Sequence, residues 1–169
     1  SNMDVDADAD TAVDITGAST VELNNLEITQ TGSDELGISV LDLSGSLAID
    51  GATISGTGLI RGIRVEAATA SPTTTITFND LDIETMVAIM GNPKHDALQV
   101  ATSGTENLGI LVTGSTLINH GGTFSSSIDV SAVGGSTVQV DVLGAHGGTF
   151  SSSIGVRAEG GSTVQVDVL

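Results

Sequence analysis

Apolar residues recur along this chain as short apolar-x-apolar pairs that return every 25 to 35 residues. Residues two apart lie on the same side of a β-strand, so each pair predicts one strand with an inward face. The first members of the pairs are spaced by 25, 25, 35, 30 and 26 residues, and we expect them to form one buried file. The pairs are Val13 and Ile15, Ile38 and Val40, Ile63 and Val65, Leu98 and Val100, Ile128 and Val130, and Ile154 and Val156.

A second apolar pattern follows each pair and is clearest in VELNNLEI (21 to 28), LAIDGATI (47 to 54) and ITFNDLDI (76 to 83). Apolar residues occupy places 1, 3, 6 and 8, so two residues must turn the chain between the two halves. Asn, Asp and Gly adopt left-handed backbone angles at low cost, which predicts a corner at each of these positions. The corner pairs are Asn24 and Asn25, Asp50 and Gly51, Asn79 and Asp80, and Thr113 and Gly114.

The last part of the chain contains a sequence repeat. The segment HGGTFSSSIDVSAVGGSTVQVDVL, which begins at His120, is followed by the similar segment HGGTFSSSIGVRAEGGSTVQVDVL, which begins at His146. A unit of this length is too short for a domain and suits one turn of a solenoid, whose turns bury their apolar edges against each other. The sequence therefore predicts an all-β parallel β-helix of about six coils of 25 to 35 residues. Its variable lengths place insertions in surface turns around Pro72 and from Glu84 to Asp96.

We divide the chain into residues 1–10, a cloning scar (Ser-Asn-Met) followed by an acidic leader, and residues 11–169, a single β-helix domain. The domain is expected to be a fragment of a longer protein. A bare end coil exposes strand edges and core, so self-association through uncapped coil ends is also expected.

Composition and charge restrict the classes of molecule that this chain is expected to bind. The 169 residues include 21 Asp and Glu against 4 Lys and Arg, giving a net charge of −17. Such a surface repels nucleic acid, and no stretch is apolar enough for insertion into a membrane. The chain has no Cys, Trp or Tyr. We expect no cofactor, no nucleic-acid partner and no membrane insertion.

The chain resembles secreted bacterial β-helix proteins, in particular the passenger domains of autotransporter adhesins and related surface proteins. The resemblance covers residues 11 to 169 and rests on the Gly-Ile-x-Val openings, the GASTVEL, SGSLAID and GGSTVQV segments, and the Asn-Asn, Asp-Gly and Asn-Asp corners. It implies a right-handed parallel β-helix that is secreted or displayed at the bacterial cell surface. It carries over no catalytic residue, since the family as a whole has none.

A polysaccharide lyase or hydrolase is the enzyme alternative, and it requires a base beside carboxylates or two suitably spaced carboxylates. The middle residue of each apolar-x-apolar pair should point outward, and no two successive coils are expected to have an acidic residue there. These outward residues are Asp14, Ser39, Arg64, Gln99, Asp129 and Gly155. The best remaining cluster for binding is Asp82 and Glu84, alternate and on one face, beside the insertion that carries Lys94, His95 and Asp96.

Two further expectations come from the duplication. His120 and His146 would lie one coil apart and are candidate ligands for a transition metal. Phe124 and Phe150 would stack in the same way.

One outward column excludes a regular threonine array of the ice-binding kind, because it is expected to contain a mixture of residue types: Glu22, Ala48, Thr77, Leu111, Gln139 and Gln165. Together these patterns predict a non-enzymatic structural or adhesive segment of a secreted or cell-surface β-helix protein. Its expected partner is a host-surface or extracellular glycan or protein.

Overall fold

The structure is a computed structural model that describes residues 3–7, 11–31, 35–57, 59–68, 73–84, 96–119, 126–148 and 152–168. These ranges contain sixteen β-strands and no helix. In chain order the strands are β1 (Met3–Ala7), β2 (Thr11–Thr16), β3 (Thr20–Asn24), β4 (Leu26–Gln30), β5 (Glu35–Leu43), β6 (Ser46–Asp50), β7 (Thr53–Ser55), β8 (Leu59–Ala67), β9 (Thr73–Asn79), β10 (Asp82–Glu84), β11 (Asp96–Thr102), β12 (Asn107–Asn119), β13 (Ser126–Ala132), β14 (Thr137–Gly148), β15 (Ser152–Ala158) and β16 (Thr163–Val168).

The strands form two sheets in which each strand pairs in parallel with the strand one coil away. The six-stranded sheet, here called sheet B, has the order β15-β13-β11-β8-β5-β2. The ten-stranded sheet, here called sheet A, contains the rest. Sheet A bends at the corners, so that β12 pairs with β9 through its first half and with β10 through its second half. The result is the predicted parallel β-solenoid.

The predicted buried file is confirmed by the ladder of sheet B. Its register joins Val13 to Ile38, Ile38 to Ile63, Ile63 to Leu98, Leu98 to Ile128 and Ile128 to Ile154. The four inner members are fully buried, while the two end members, Val13 and Ile154, are partly buried. The core is therefore a column of aliphatic side chains that continues from coil to coil.

The predicted corners are confirmed by the backbone. Asn25, Gly51, Asp80 and Gly114 have φ angles of 53°, 67°, 51° and 58°. Hydrogen bonds link the corners along the axis, since the Asn79 amide donates to Asp50 over 2.6 Å and the Thr113 hydroxyl donates to Asn79 over 2.6 Å. Left-handed angles at one residue per corner turn the chain without losing the ladder on either side.

The number of coils differs slightly from the prediction of about six, since the structure contains about four turns. Sheet B has six strands, and four of them have a neighbour on both sides. At the last strands, β15 and β16, Val156 and Val168 are 48% and 54% exposed although their equivalents one coil earlier are buried. A coil buries its apolar residues fully only between two neighbours.

The expected outward column through Thr77 is wrong in its last two members. Leu111 pairs with Asp141, and Asp141 pairs with Asp167, while Gln139 pairs with Gly109. Val138, Val140 and Val142 alternate along β14, so either Val138 or Val140 could open the pattern, and the ladder pairs Val140 with Ile110. The corrected column still contains no threonine array.

Two expectations concern residues beyond the described ranges. Phe124 and Phe150 lie outside them, so their stacking stays a prediction. The acidic leader is described in part, and Met3–Ala7 forms a strand that pairs in parallel with β4. This segment therefore adds a strand to sheet A.

Candidate functional site

Asp82 and Glu84 lie on the outer face of sheet A. Both are exposed in β10, and the buried Ile83 separates them. Asp82 is in register with Thr53 on one side and Thr116 on the other. The two carboxylates therefore share one face, as alternation along a strand requires.

The other members of this predicted cluster do not join them in the described structure. Lys94 and His95 lie outside the described residues. Asp96 was expected in a surface insertion, but it is the first residue of β11 in sheet B and is fully buried. Its Oδ1 accepts a hydrogen bond of 2.8 Å from the backbone N–H of Ser126. Asp96 thus supports the next coil rather than an open groove.

The histidine pair is only partly described. His120 lies outside the described residues, and the backbone of His146 in β14 is in register with Leu117. Metal binding by this pair stays a prediction. Within the described ranges, no group of three or more His, Asp or Glu side chains is placed to hold a metal ion.

Sheet B carries a cluster of mixed charge on β8, β11 and β13. Arg64 forms an ion pair with Glu66, and Gln99 donates to Asp129 over 3.5 Å. The register of the outward column from Asp14 to Gly155 is as predicted, but Asp129 is only 6% exposed. Burial lowers the pKa of Arg61, and the nearby carboxylate of Asp96 opposes this effect in part.

A cleft of about 270 Å³ lies beside this cluster, where sheet B meets the following turns. Acidic, hydroxyl and small apolar residues of β5, β8, β11 and β13 and of the turns after β11 and β13 line it. Its lining includes Asp42, Glu66, Thr102, Ser103 and Val133.

A second concave surface, here called the Gly109 groove, crosses β9, β12 and β14 on the outer face of sheet A. It consists of two adjoining depressions of about 220 and 250 Å³, and Gly109 lies in both. No atom lies within 4 Å of the position that a Cβ on Gly109 would take. Most of the surface that lines the two depressions is apolar, but polar groups stand among it, and the outward side chains are Thr73, Thr75, Thr77, Asn107, Leu111, Thr137, Gln139 and Asp141.

Carboxamide and carboxylate groups form a ladder at one side of the Gly109 groove. Gln139 donates to Asp141 over 2.8 Å and to Asp167 in the next coil over 2.9 Å. Gln165 donates to the same Asp167 over 3.1 Å. The sequence motif that marks this ladder is Gln-Val-Asp-Val, which both copies of the repeat contain. This ladder was not predicted from the sequence because Gln139, rather than Asp141, was aligned with Leu111.

Charge differs between the two sheets in the described part of the chain. The three arginines of these ranges, Arg61, Arg64 and Arg157, belong to strands of sheet B. The outer face of sheet A carries carboxylates, among them Glu22 and Asp167. The Gly109 groove therefore lies on an acidic face.

Comparison with protein-family models, with curated proteins and with solved structures gives no match for this chain. Among the described residues there is also no helix of the length and apolarity needed to cross a membrane. The parallel β-solenoid thus rests on the structure itself.

Proposed function

We propose that this chain is a non-enzymatic structural and adhesive segment of a secreted or cell-surface β-helix protein of bacterial origin. The aliphatic file of sheet B and the hydrogen-bonded corners of sheet A support a rigid structural role, because both continue through successive coils. The resemblance to autotransporter passengers supports surface display.

The Gly109 groove is the observation that carries the adhesive part of the proposal. Its hydroxyl, amide and carboxylate groups supply both donors and acceptors at the strand spacing of about 4.8 Å. Each depression is smaller than the roughly 300 to 1,000 Å³ of an enclosed small-molecule pocket, and together they cross three strands. An extended extracellular glycan fits such an open surface.

The charge of this face restricts the kind of glycan. Asp141 and Asp167 would repel the carboxylates or sulfates of acidic polysaccharides. Neutral or amino-sugar chains would instead donate hydrogen bonds to the aspartates and to the Gln139 carbonyl oxygen, since both Nε2 hydrogens of Gln139 already donate to Asp141 and Asp167. The proposed ligand is therefore a neutral or amino-sugar polysaccharide.

A glycan array and titration of its best ligand test this proposal. Gly109→Gln should fill the groove while leaving the fold intact, since Gly109 has open space above it. We expect binding to weaken roughly tenfold or more, or about 1.4 kcal/mol. Thr16→Gln, at an exposed position of β2 in sheet B, is the matched control and should bind as the unchanged protein does. Binding of no glycan, or equal binding by both variants, would refute the assignment, and capture of a protein ligand alone would point to the other class of partner.

A carbohydrate-active fragment is the second candidate function, and the mixed-charge cluster on sheet B favours it. Arg64 lies beside Glu66, and Asp129 belongs to the same outward column as Arg64 two coils later. A lyase needs such a cation near carboxylates. Turnover of polygalacturonate, alginate or neutral glycans that is abolished by Arg64→Ala, Asp82→Asn or Lys94→Ala would replace the adhesive proposal.

A further inference from the structure

Glu106 is a buried carboxylate in the turn between β11 and β12. Its side chain is only 1% exposed. Oε1 accepts hydrogen bonds from the Thr102 hydroxyl and, over 3.3 Å, from the backbone N–H of Gly104. Oε2 is buried as well, and no donor in the described part of the chain reaches it. A buried carboxylate oxygen without a partner is costly, so it requires compensation from outside these residues.

The column that contains Glu106 shows that a carboxylate is not needed for the turn itself. The ladder places Ser136 and Ser162 at the equivalent position of the next two coils. Ser162 Oγ accepts from the backbone N–H groups of Gly135 and Ser136 over 3.0 and 3.1 Å. A serine hydroxyl is therefore enough to accept the hydrogen bonds of the turn N–H groups, whereas Glu106 has an additional oxygen, Oε2, to which no turn N–H donates.

Thr102 is a second departure at the same corner. Ala132 and Ala158 occupy its column in the following coils. Thr102 Oγ1 lies 3.1 Å from Ser136 Oγ, which in turn lies 2.8 Å from the carbonyl oxygen of Gly104. Ser136 Oγ is also 3.2 Å from the carbonyl oxygen of Val133. Oxygen atoms thus converge at this corner from two successive coils.

No described cation side chain compensates Glu106. Arg64 pairs with Glu66, and Arg157 pairs with Glu159. Burial lowers the pKa of Arg61, and the carboxylates that oppose this are Asp96, Asp129 and Glu66. The compensating charge would have to come from solution, and Thr102, Ser103 and Val133 connect this corner to the 270 Å³ cleft that Asp42 and Glu66 also line.

We propose that this corner is a calcium site formed by Glu106, Thr102, Ser136 and the carbonyl oxygens of Gly104 and Val133. A donor set of oxygen atoms alone selects a hard cation. Calcium accepts hydroxyl and carbonyl oxygens in irregular geometry, whereas magnesium demands near-octahedral geometry and retains its waters. With a single carboxylate, we expect a dissociation constant of about 10⁻⁴ to 10⁻³ M, the range of extracellular calcium modules.

Thermal unfolding and calcium binding of the EDTA-treated chain test the site. At constant ionic strength, CaCl₂ at about 100 times the dissociation constant should raise Tm by about 5 to 10 °C. Calorimetric titration should give one calcium per chain. Glu106→Gln should lose both effects, and in EDTA it should melt at or above the Tm of the unchanged protein, because its side chain no longer buries a charge.

Glu22→Gln removes an exposed carboxylate of sheet A and is the matched control, which should keep the full calcium response. If Glu106→Gln fails to fold, Ser136→Ala provides the second variant and should weaken calcium binding about tenfold. The proposal is overturned if calcium neither binds nor shifts Tm, which would assign the oxygen to a buried water only. It is equally overturned if Glu106→Gln or Ser136→Ala binds calcium normally, or if sodium alone gives the same shift.

Discussion

The continuity of the apolar file predicts that one substitution has a different cost at the middle and at the end of the solenoid. Ile63 is fully buried between Ile38 and Leu98 in sheet B. Ile63→Ala removes three buried carbons, or about 2.4 kcal/mol at about 0.8 kcal/mol each. The residual cavity adds to this, so we expect a total loss of about 3 to 4 kcal/mol in the free energy of unfolding.

Ile154→Ala is the matched control because it changes the same residue type in the same file. Ile154 is only partly buried and has a described neighbour on one side, Ile128. Less area returns to water and no enclosed cavity forms, so we expect a loss of about 1 kcal/mol. Urea titration followed by far-ultraviolet circular dichroism measures both values, since the chain has no Trp or Tyr for fluorescence. Equal losses, or a loss below about 1 kcal/mol for Ile63→Ala, would refute the continuous file.

Four further substitutions test the register and the corners. Ile63→Asp should prevent folding, because it buries an unpaired charge, and a soluble variant with unchanged circular dichroism and Tm would contradict this. Gly114→Ala should cost about 1 kcal/mol in urea titration because φ is 58° there, whereas Asp80→Gly, at a φ of 51°, should cost less. Asn79→Ala removes the hydrogen bonds to Asp50 and Thr113 and should cost about 1 kcal/mol, and no loss would show that this ladder is not stabilising.

The fold could be predicted from the sequence because two independent patterns recur in successive coils. Apolar pairs fix which strands face inward, and the Asn, Asp and Gly corners fix where each coil bends. Together they determine the register of Ile38 against Ile63, which the structure confirms. The prediction failed in β14, where three alternating valines leave the start of the apolar pattern ambiguous and Gln139 was aligned with Leu111 instead of Gly109.

The candidate sites were harder to predict because the sequence alone does not show whether a polar side chain is buried or exposed. Asp96 was assigned to a surface insertion because of the extra length of its coil, yet its strand position turns it inward beside Ser126. Glu106 follows a Ser-Gly-Thr turn and has no neighbouring motif that distinguishes it from a solvated glutamate. Its burial depends on the coil above, which contributes Ser136, and such contacts between coils follow only from the full register.

Strand β12 connects the two proposed sites, and this gives a joint consequence. Glu106 immediately precedes β12, and Gly109 is its third residue. Calcium at the corner would fix the start of β12, which forms the floor of the Gly109 groove. If calcium favours the glycan-binding form of this strand, the glycan must raise calcium affinity by the same factor, since coupling between two binding equilibria is reciprocal. Glycan titrations in calcium and in EDTA measure this coupling, and Glu106→Gln should abolish it while leaving the groove residues themselves unchanged.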